Sequence, residues 1–155
     1  MDVRKTTAGL AASIGLIAAI AQYEGYSSKP YIPVVGDVPT IGYGTTAGVT
    51  MNSAPVTKVE ALKLLRNDAS KFEGAIKSCV RVPLYQYEYD AYTSLSYNIG
   101  GRAFCHSTLV KSLNRHEYGR ACTQILRWNR FNGRVLRGLS NRRRDEYQRC
   151  IGAKQ

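Results

Sequence analysis

The first long apolar stretch runs from Thr6 to Tyr23, 18 residues without a charge. Its strongly apolar members are Leu10, Ile14, Leu16, Ile17 and Ile20, diluted by Thr6, Thr7, Gly9, Ser13 and Gly15. As one helix it would be roughly 27 Å long at about 1.5 Å per residue, close to the roughly 30 Å hydrocarbon core of a bilayer. Preceded by Arg4 and Lys5, it reads as an export or membrane signal with marginal insertion strength. Three readings stay open: a cleaved signal peptide, with Ala19-Ile20-Ala21 as the cleavage site, a buried first helix, or a weak anchor that later leaves the bilayer. Cleavage there would strip the helix that leads into Glu24.

The pattern then changes period. Thr40, Ile41, Tyr43, Thr45 and Thr46 favour strand, and Gly42 and Gly44 permit close backbone approach, so this run predicts a hairpin. Thr57-x-x-Glu60 is a capping box, after which Leu62, Leu65, Ala69, Phe72, Ile76 and Cys79 recur at helical steps up to Pro83. A second helix carries Leu84, Ala91, Leu95 and Ile99 on one side with Tyr85, Tyr89 and Tyr92 beside them, and Asn98-Ile99-Gly100-Gly101 closes it. Helical spacing makes those tyrosines core rather than a stacking platform. Ser107 caps a short helix through Leu113, and Tyr118, Ala121, Cys122, Ile125, Leu126 and Asn129 mark another beside Trp128. After turns at Asn132-Gly133 and Gly138, Ser140 is the expected cap of a last helix. That helix would turn Tyr147, Cys150 and Ile151 inward and leave Arg142, Arg143, Arg144 and Arg149 in water. One small hairpin among many helices defines an α+β chain, and 155 residues suit one domain burying roughly 68–70% of its unfolded surface.

Charge adds a direction. The chain holds 22 Lys and Arg against 11 acids, a net +11, and from Gly101 onward 13 Lys or Arg face only Glu117, Asp145 and Glu146. Such a chain attracts polyanions: nucleic acid, acidic lipid, or the phosphate-rich polymers and lipopolysaccharide of a bacterial envelope. No zinc-finger spacing, RNP-like motif or glycine-rich phosphate loop provides base readout, so no specific nucleic acid is expected. Cys79, Cys105, Cys122 and Cys150 stand at wide spacings without a Cys-x-x-Cys pair, which leaves two disulfides or four small buried thiols. His106 and His116 belong to no metal or serine-hydrolase motif.

The stretch from Glu24 to Thr46 carries a resemblance. Glu24-Gly25, Tyr31, Gly36 and Thr40 resemble the phage-type lysozymes of T-even and lambdoid phages, in which Glu-Gly ends the first helix and Tyr-x-Asp-x-x-Gly-x-x-Thr follows. The chain departs from that pattern at Pro33, which stands where the family has its aspartate, and Tyr31 to Thr40 is one residue longer. Asp37 is the nearest substitute acid. The likeness continues through Val82-Pro83-Leu84, Tyr97-Asn98-Ile99-Gly100, Ser107-Thr108-Leu109, Trp128, and Gly138-Leu139 leading to Arg142-Arg143, covering about residues 20 to 151.

The resemblance implies a lysozyme-like fold, mainly helical with a small β-hairpin lobe and one long connecting helix. It implies an N-acetylmuramidase that cuts peptidoglycan and needs no cofactor. Glycosidic hydrolysis needs a proton donor and a means of positioning water at the anomeric carbon. Among the acids, Asp2 lies in the basic head, Glu60 is a cap, and Asp68, Glu73, Glu88, Asp90, Glu117, Asp145 and Glu146 sit at helical positions that read as solvated. Glu24 and Asp37 remain. Glu24 directly follows an apolar helix, surroundings that suit a proton donor because desolvation disfavours the charged form. Thr40 would hold the attacking water, and Asp37 either assists it or simply bonds backbone in an ordinary turn.

The N-terminal segment is similar to that of signal-anchor-release endolysins. Residues 1–23 would then be a releasable anchor in the bacterial inner membrane, or a first helix, and 24–155 a monomeric muramidase domain that ends in the periplasm. By analogy with exported relatives, the pairing would be Cys79–Cys105 and Cys122–Cys150. An inactive wall-binding module and a basic nucleic-acid-binding protein are the alternatives.

Overall fold

The computed structural model describes residues 2–154. In chain order the elements are α1 (Ile14–Glu24), β1 (Ser27–Tyr31), β2 (Thr40–Gly42), α2 (Lys58–Cys79), α3 (Gln86–Ile99), α4 (Gly101–Cys105), α5 (Thr108–Leu113), α6 (Tyr118–Gln124), β3 (Arg130–Phe131), β4 (Arg134–Val135) and α7 (Arg137–Cys150), with 3-10 turns at Thr7–Gly9 and Ile125–Arg127. They form two compact units, one of residues 17–70 and one that joins the chain up to Leu16 with Lys71 onward.

In the 17–70 unit, β1 and β2 pair antiparallel, Ser27 opposite Gly42 and Tyr31 opposite Thr40, with an irregularity between. The expected strand run is cut short. The chain turns at Tyr43-Gly44 and Thr45 folds back onto Ile41, each N–H donating to the other's carbonyl at 2.9–3.0 Å. Gly42 and Gly44 take φ of 67° and 97°, conformations that suit glycine. A Cβ at Gly42 would also lie 3.0 Å from the Cβ of Ala61, so the glycine lets β2 lie directly on α2. The Thr57 capping box is present: Thr57 N–H donates to Glu60 Oε2 at 2.7 Å and Glu60 N–H to Thr57 Oγ1 at 3.2 Å. These bonds hold the Glu60 pKa below its ordinary value. Leu65 and Ala69 are buried as the helical pattern requires, while Leu62 remains exposed.

The helical unit is built around α3, in which every residue from Glu88 to Ser96 is buried. Ile76, Leu84, Tyr89, Tyr92, Leu95, Phe104, Leu109 and Leu113 share its core. α3 packs on α7 and α5 on α6. Gly100, at φ 95°, ends α3 and α4 starts at once, and Ser107 Oγ caps α5 by accepting from Val110 N at 3.3 Å. Bridges join Cys79 to Cys105, Cα atoms 5.6 Å apart, and Cys122 to Cys150, 5.7 Å apart. The Tyr92 hydroxyl lies 3.8 Å from Cys122 Sγ and 3.4 Å from Cys150 Sγ, and burial pushes its pKa far up.

Three expectations are corrected here. Thr6 to Tyr23 is not one helix. Residues 4–13 run along α3 instead, and α1 begins only at Ile14, where Ser13 Oγ accepts from Leu16 N at 3.1 Å. Arg4 lies between the rings of Tyr85 and Tyr118, 4.3 and 3.6 Å from their centroids, and donates twice to Glu88, at 3.1 and 2.8 Å. Lys5 pairs with Leu84 as a β-bridge, Ala12 N–H donates to Glu73 at 2.7 Å, and Ser13 donates through N–H and Oγ to Asp90. Glu88 and Asp90 are therefore buried partners, not solvated charges, and Glu73 is half-buried. No helix among the described residues is long and apolar enough to cross a membrane.

The second correction concerns α7. It starts at Arg137 with Leu136 as N-cap residue, so Ser140 sits inside the first turn, its Oγ accepting from Asn129 Nδ2 at 3.3 Å. The third concerns Arg142, Arg143 and Glu146, which are 7%, 0% and 2% exposed. Arg143 Nε meets Glu146 Oε2 at 2.7 Å, Arg142 Nε meets Oε1 at 3.3 Å, and Ser94 Oγ donates to Oε1 at 2.6 Å. Burial raises the Glu146 pKa above the ordinary carboxylate range, while the two guanidiniums and Ser94 pull it down. The pairing makes the burial tolerable.

Candidate active site

Glu24 is the last residue of α1 and is half-buried. Gly25 follows at φ 72°, its N–H donating to Ala21 O at 3.1 Å, which stops the helix and turns the chain into β1. Glu24, Gly25, Tyr26, Ser27 and Tyr31 line an open concavity of about 300 Å³. Tyr26 forms one wall. Its hydroxyl donates to Val56 O at 2.7 Å, its ring meets that of Tyr43 at 5.5 Å, and Lys58 Nζ lies 5.7 Å from the ring centroid.

Thr40 opens β2, is 5% exposed, and donates through Oγ1 to Val38 O at 3.2 Å. It stands opposite Tyr31, so Tyr31 is the residue that touches both groups of the site: it lines the Glu24 concavity and pairs with Thr40. Asp37 lies in the exposed loop between the strands. Its N–H donates to Val34 O at 3.0 Å and its Oδ1 accepts from Val38 N at 2.8 Å. Pro33 occupies the same exposed loop.

Two supporting residues escaped the sequence reading. Thr45, 3% exposed, donates through Oγ1 to Asp68 Oδ2 at 2.6 Å and ties the tight turn to α2. Nothing in the spacing of Thr45 and Asp68 signals that bond, because it depends on how the turn closes. Tyr26, by contrast, adjoins the Glu-Gly pair in sequence, and its aromatic ring next to a candidate acid was a legible signal. Among the described residues no group of three or more His, Cys, Asp or Glu could hold a metal ion.

A helix ending in Glu-Gly, a two-stranded hairpin whose second strand opens on Thr40 and a long following helix define a lysozyme-like fold. The structure is similar to that of the endolysin from Escherichia coli O157:H7 phage FAHEc1, with a TM-score of 0.83 and 30% identity over 97% of this chain and 98% of that one. The endolysin of Salmonella phage P22 is 40% identical over 118 residues, 74% of this chain and 80% of that protein. The SAR-endolysin of Enterobacteria phage P21 is 33% identical over 132 residues, 85% of this chain and 79% of that protein. The chain spans about half the length of the Bacillus phage B103 and PZA endolysins that it also matches. The phage lysozyme family matches residues 21–146, and the chain belongs to that family.

Proposed function

We propose that the chain is an endolysin that hydrolyses the β-1,4 bond between N-acetylmuramic acid and N-acetylglucosamine in peptidoglycan during host lysis. The observation that carries this reading is Glu24 at the end of α1, facing an open concavity that shares Tyr31 with Thr40. Glu24 protonates the leaving glycosidic oxygen as that bond breaks. A water placed by the Thr40 hydroxyl adds to the anomeric carbon. Its proton needs an acceptor, and Asp37 supplies one: Oδ1 is engaged with Val38 N, which fixes the carboxylate and leaves Oδ2 for the water.

Release of reducing ends from purified peptidoglycan tests the activity. In that assay Asp37→Asn is expected to lower turnover by about 100-fold or more, the scale of lost general-base assistance. Pro33→Ala, in the same loop, is expected to stay within a few-fold of the parent. Equally mild losses would mean that Glu24 and Thr40 act without a second acid from this loop.

Residues 1–23 act, in this proposal, as an anchor in the inner membrane that is later released, leaving the enzyme in the periplasm as a monomer. The P21 relative supports this by its description as a SAR-endolysin. The contacts of Arg4, Lys5, Ala12 and Ser13 would belong to the released state, because a segment that spans a bilayer cannot also bond Glu88, Leu84, Glu73 and Asp90. Escape from the membrane and docking on α3 are alternatives, so membrane affinity controls the active population. Gly9→Leu with Gly15→Leu raises that affinity where an added Cβ meets nothing closer than 3.8 Å, and it spares the Ser13 cap. The double variant is expected to stay in the membrane fraction and delay lysis. A wholly soluble variant with parental lysis timing would make the segment simply part of the folded domain.

A further inference from the structure

A second concavity, of about 610 Å³, lies in the helical unit between α5 and the α6 helix with its 3-10 extension. Lys111 and Arg115 stand four residues apart on one side, and Arg120 in α6 and Arg127 in the 3-10 turn after it stand seven residues apart on the other. No carboxylate lines it. Glu117 approaches only Arg120, at 3.3 Å on the surface, where such a pair neutralises little. Lys111, Arg115 and Arg127 form no ion pair with any described residue. The buried guanidiniums of Arg142 and Arg143 share Glu146 and Arg4 is held by Glu88, so those cations are committed within the fold.

The floor is polar and arranged. Gln124, 9% exposed, accepts from Thr108 Oγ1 at 2.7 Å and donates to Ser112 Oγ at 2.9 Å. Ser112, 7% exposed, thus has its oxygen engaged and its own O–H left to donate. Four cations on the rim over a buried hydroxyl donor form a surface that matches an anion carrying several closely spaced oxygens. Guanidinium forks pair with phosphate oxygens two at a time. The volume falls within the range of small-molecule sites, roughly 300–1,000 Å³.

The geometry points to a binding site for a polyphosphorylated anion, with Lys111, Arg115, Arg120 and Arg127 on the phosphates and Ser112 donating from below. The site belongs wholly to the helical unit and contains neither Glu24 nor Thr40, so it binds its ligand independently of glycosidic cleavage. A soluble polyphosphate and the phosphorylated sugar headgroup of an envelope lipid present the same chemistry. For an enzyme acting at a phosphate-rich envelope, the site would hold the chain at that surface.

Calorimetric titration of the intact, disulfide-bonded protein with inorganic tripolyphosphate tests this. The triple variant Lys111→Gln, Arg115→Gln, Arg127→Gln changes only exposed side chains and should weaken binding at least about tenfold, less than one charge-assisted hydrogen bond per residue removed. A control with the same loss of charge, Arg134→Gln, Arg137→Gln, Arg144→Gln, should remain within about twofold of the parent. Equal weakening in both triples would reduce the site to net charge, and parental binding in the first triple would remove it. Sedimentation with phosphatidylcholine vesicles doped with diphosphoryl lipid A then separates the sources. Vesicle binding that the first triple abolishes and the control retains assigns a lipid headgroup. Tripolyphosphate binding without vesicle binding assigns a soluble phosphate.

Discussion

Glu24→Gln protein is expected to fold as the parent does and to release reducing ends from peptidoglycan about 10²–10⁴-fold more slowly, the range that general-acid assistance contributes. The amide keeps the size of the side chain and a hydrogen-bonding head but has no proton to give to a leaving oxygen. Because Glu24 is a half-buried terminal residue of α1, and the helix stop rests on Gly25 and its bond to Ala21 O, the substitution leaves the backbone arrangement intact. Reducing-end release and thermal unfolding on the same sample separate chemistry from folding. Parental turnover by a folded Glu24→Gln protein would take Glu24 out of the reaction and the muramidase reading with it.

The largest effect on stability is expected at Glu146. Glu146→Ala leaves Arg142 and Arg143 buried without their shared carboxylate and deprives Ser94 Oγ of its acceptor, which should cost about 3–5 kcal/mol. Urea unfolding with both disulfides intact measures it. Replacing all three charges, as in Arg142→Leu, Arg143→Met and Glu146→Leu, should recover much of that loss, because the penalty comes from the uncompensated charge rather than from a missing contact. A Glu146→Ala protein within about 1 kcal/mol of the parent would show that water reaches these guanidiniums.

The same region shows what the sequence could and could not reveal. Leu139, Arg142, Arg143, Glu146, Tyr147 and Cys150 occupy one helical stripe, so the inward placement of Tyr147 and Cys150 already implied that two arginines and a glutamate face inward. Reading charge as exposure concealed it. Glu88 and Asp90 misled in the same way, since their partners Arg4 and Ser13 come from a segment more than 70 residues earlier, and no local period reports such pairing. What local signals govern was legible: the Thr57 box, Gly100 as helix stop, the Ser107 cap, and the hairpin. Of the site, Glu24, Thr40 and their common neighbour Tyr31 all stand in the Glu-Gly to Thr stretch. The link between Thr45 and Asp68 depended on the closure of a turn and was hidden.

Both disulfides lie in the helical unit, and the 17–70 unit, which carries Glu24, Asp37 and Thr40, contains no cysteine. A cross-link restricts the open ensemble only of the segment that it closes, so the bridges leave opening of the β1–β2 hairpin as easy as the oxidised or reduced chain alike allows. Amide hydrogen exchange should therefore be graded. The N–H groups of Ile41 and Thr45 would lose their protons to solvent well before those of α3, and reducing both bridges would speed exchange in α3 while leaving the hairpin rates nearly unchanged.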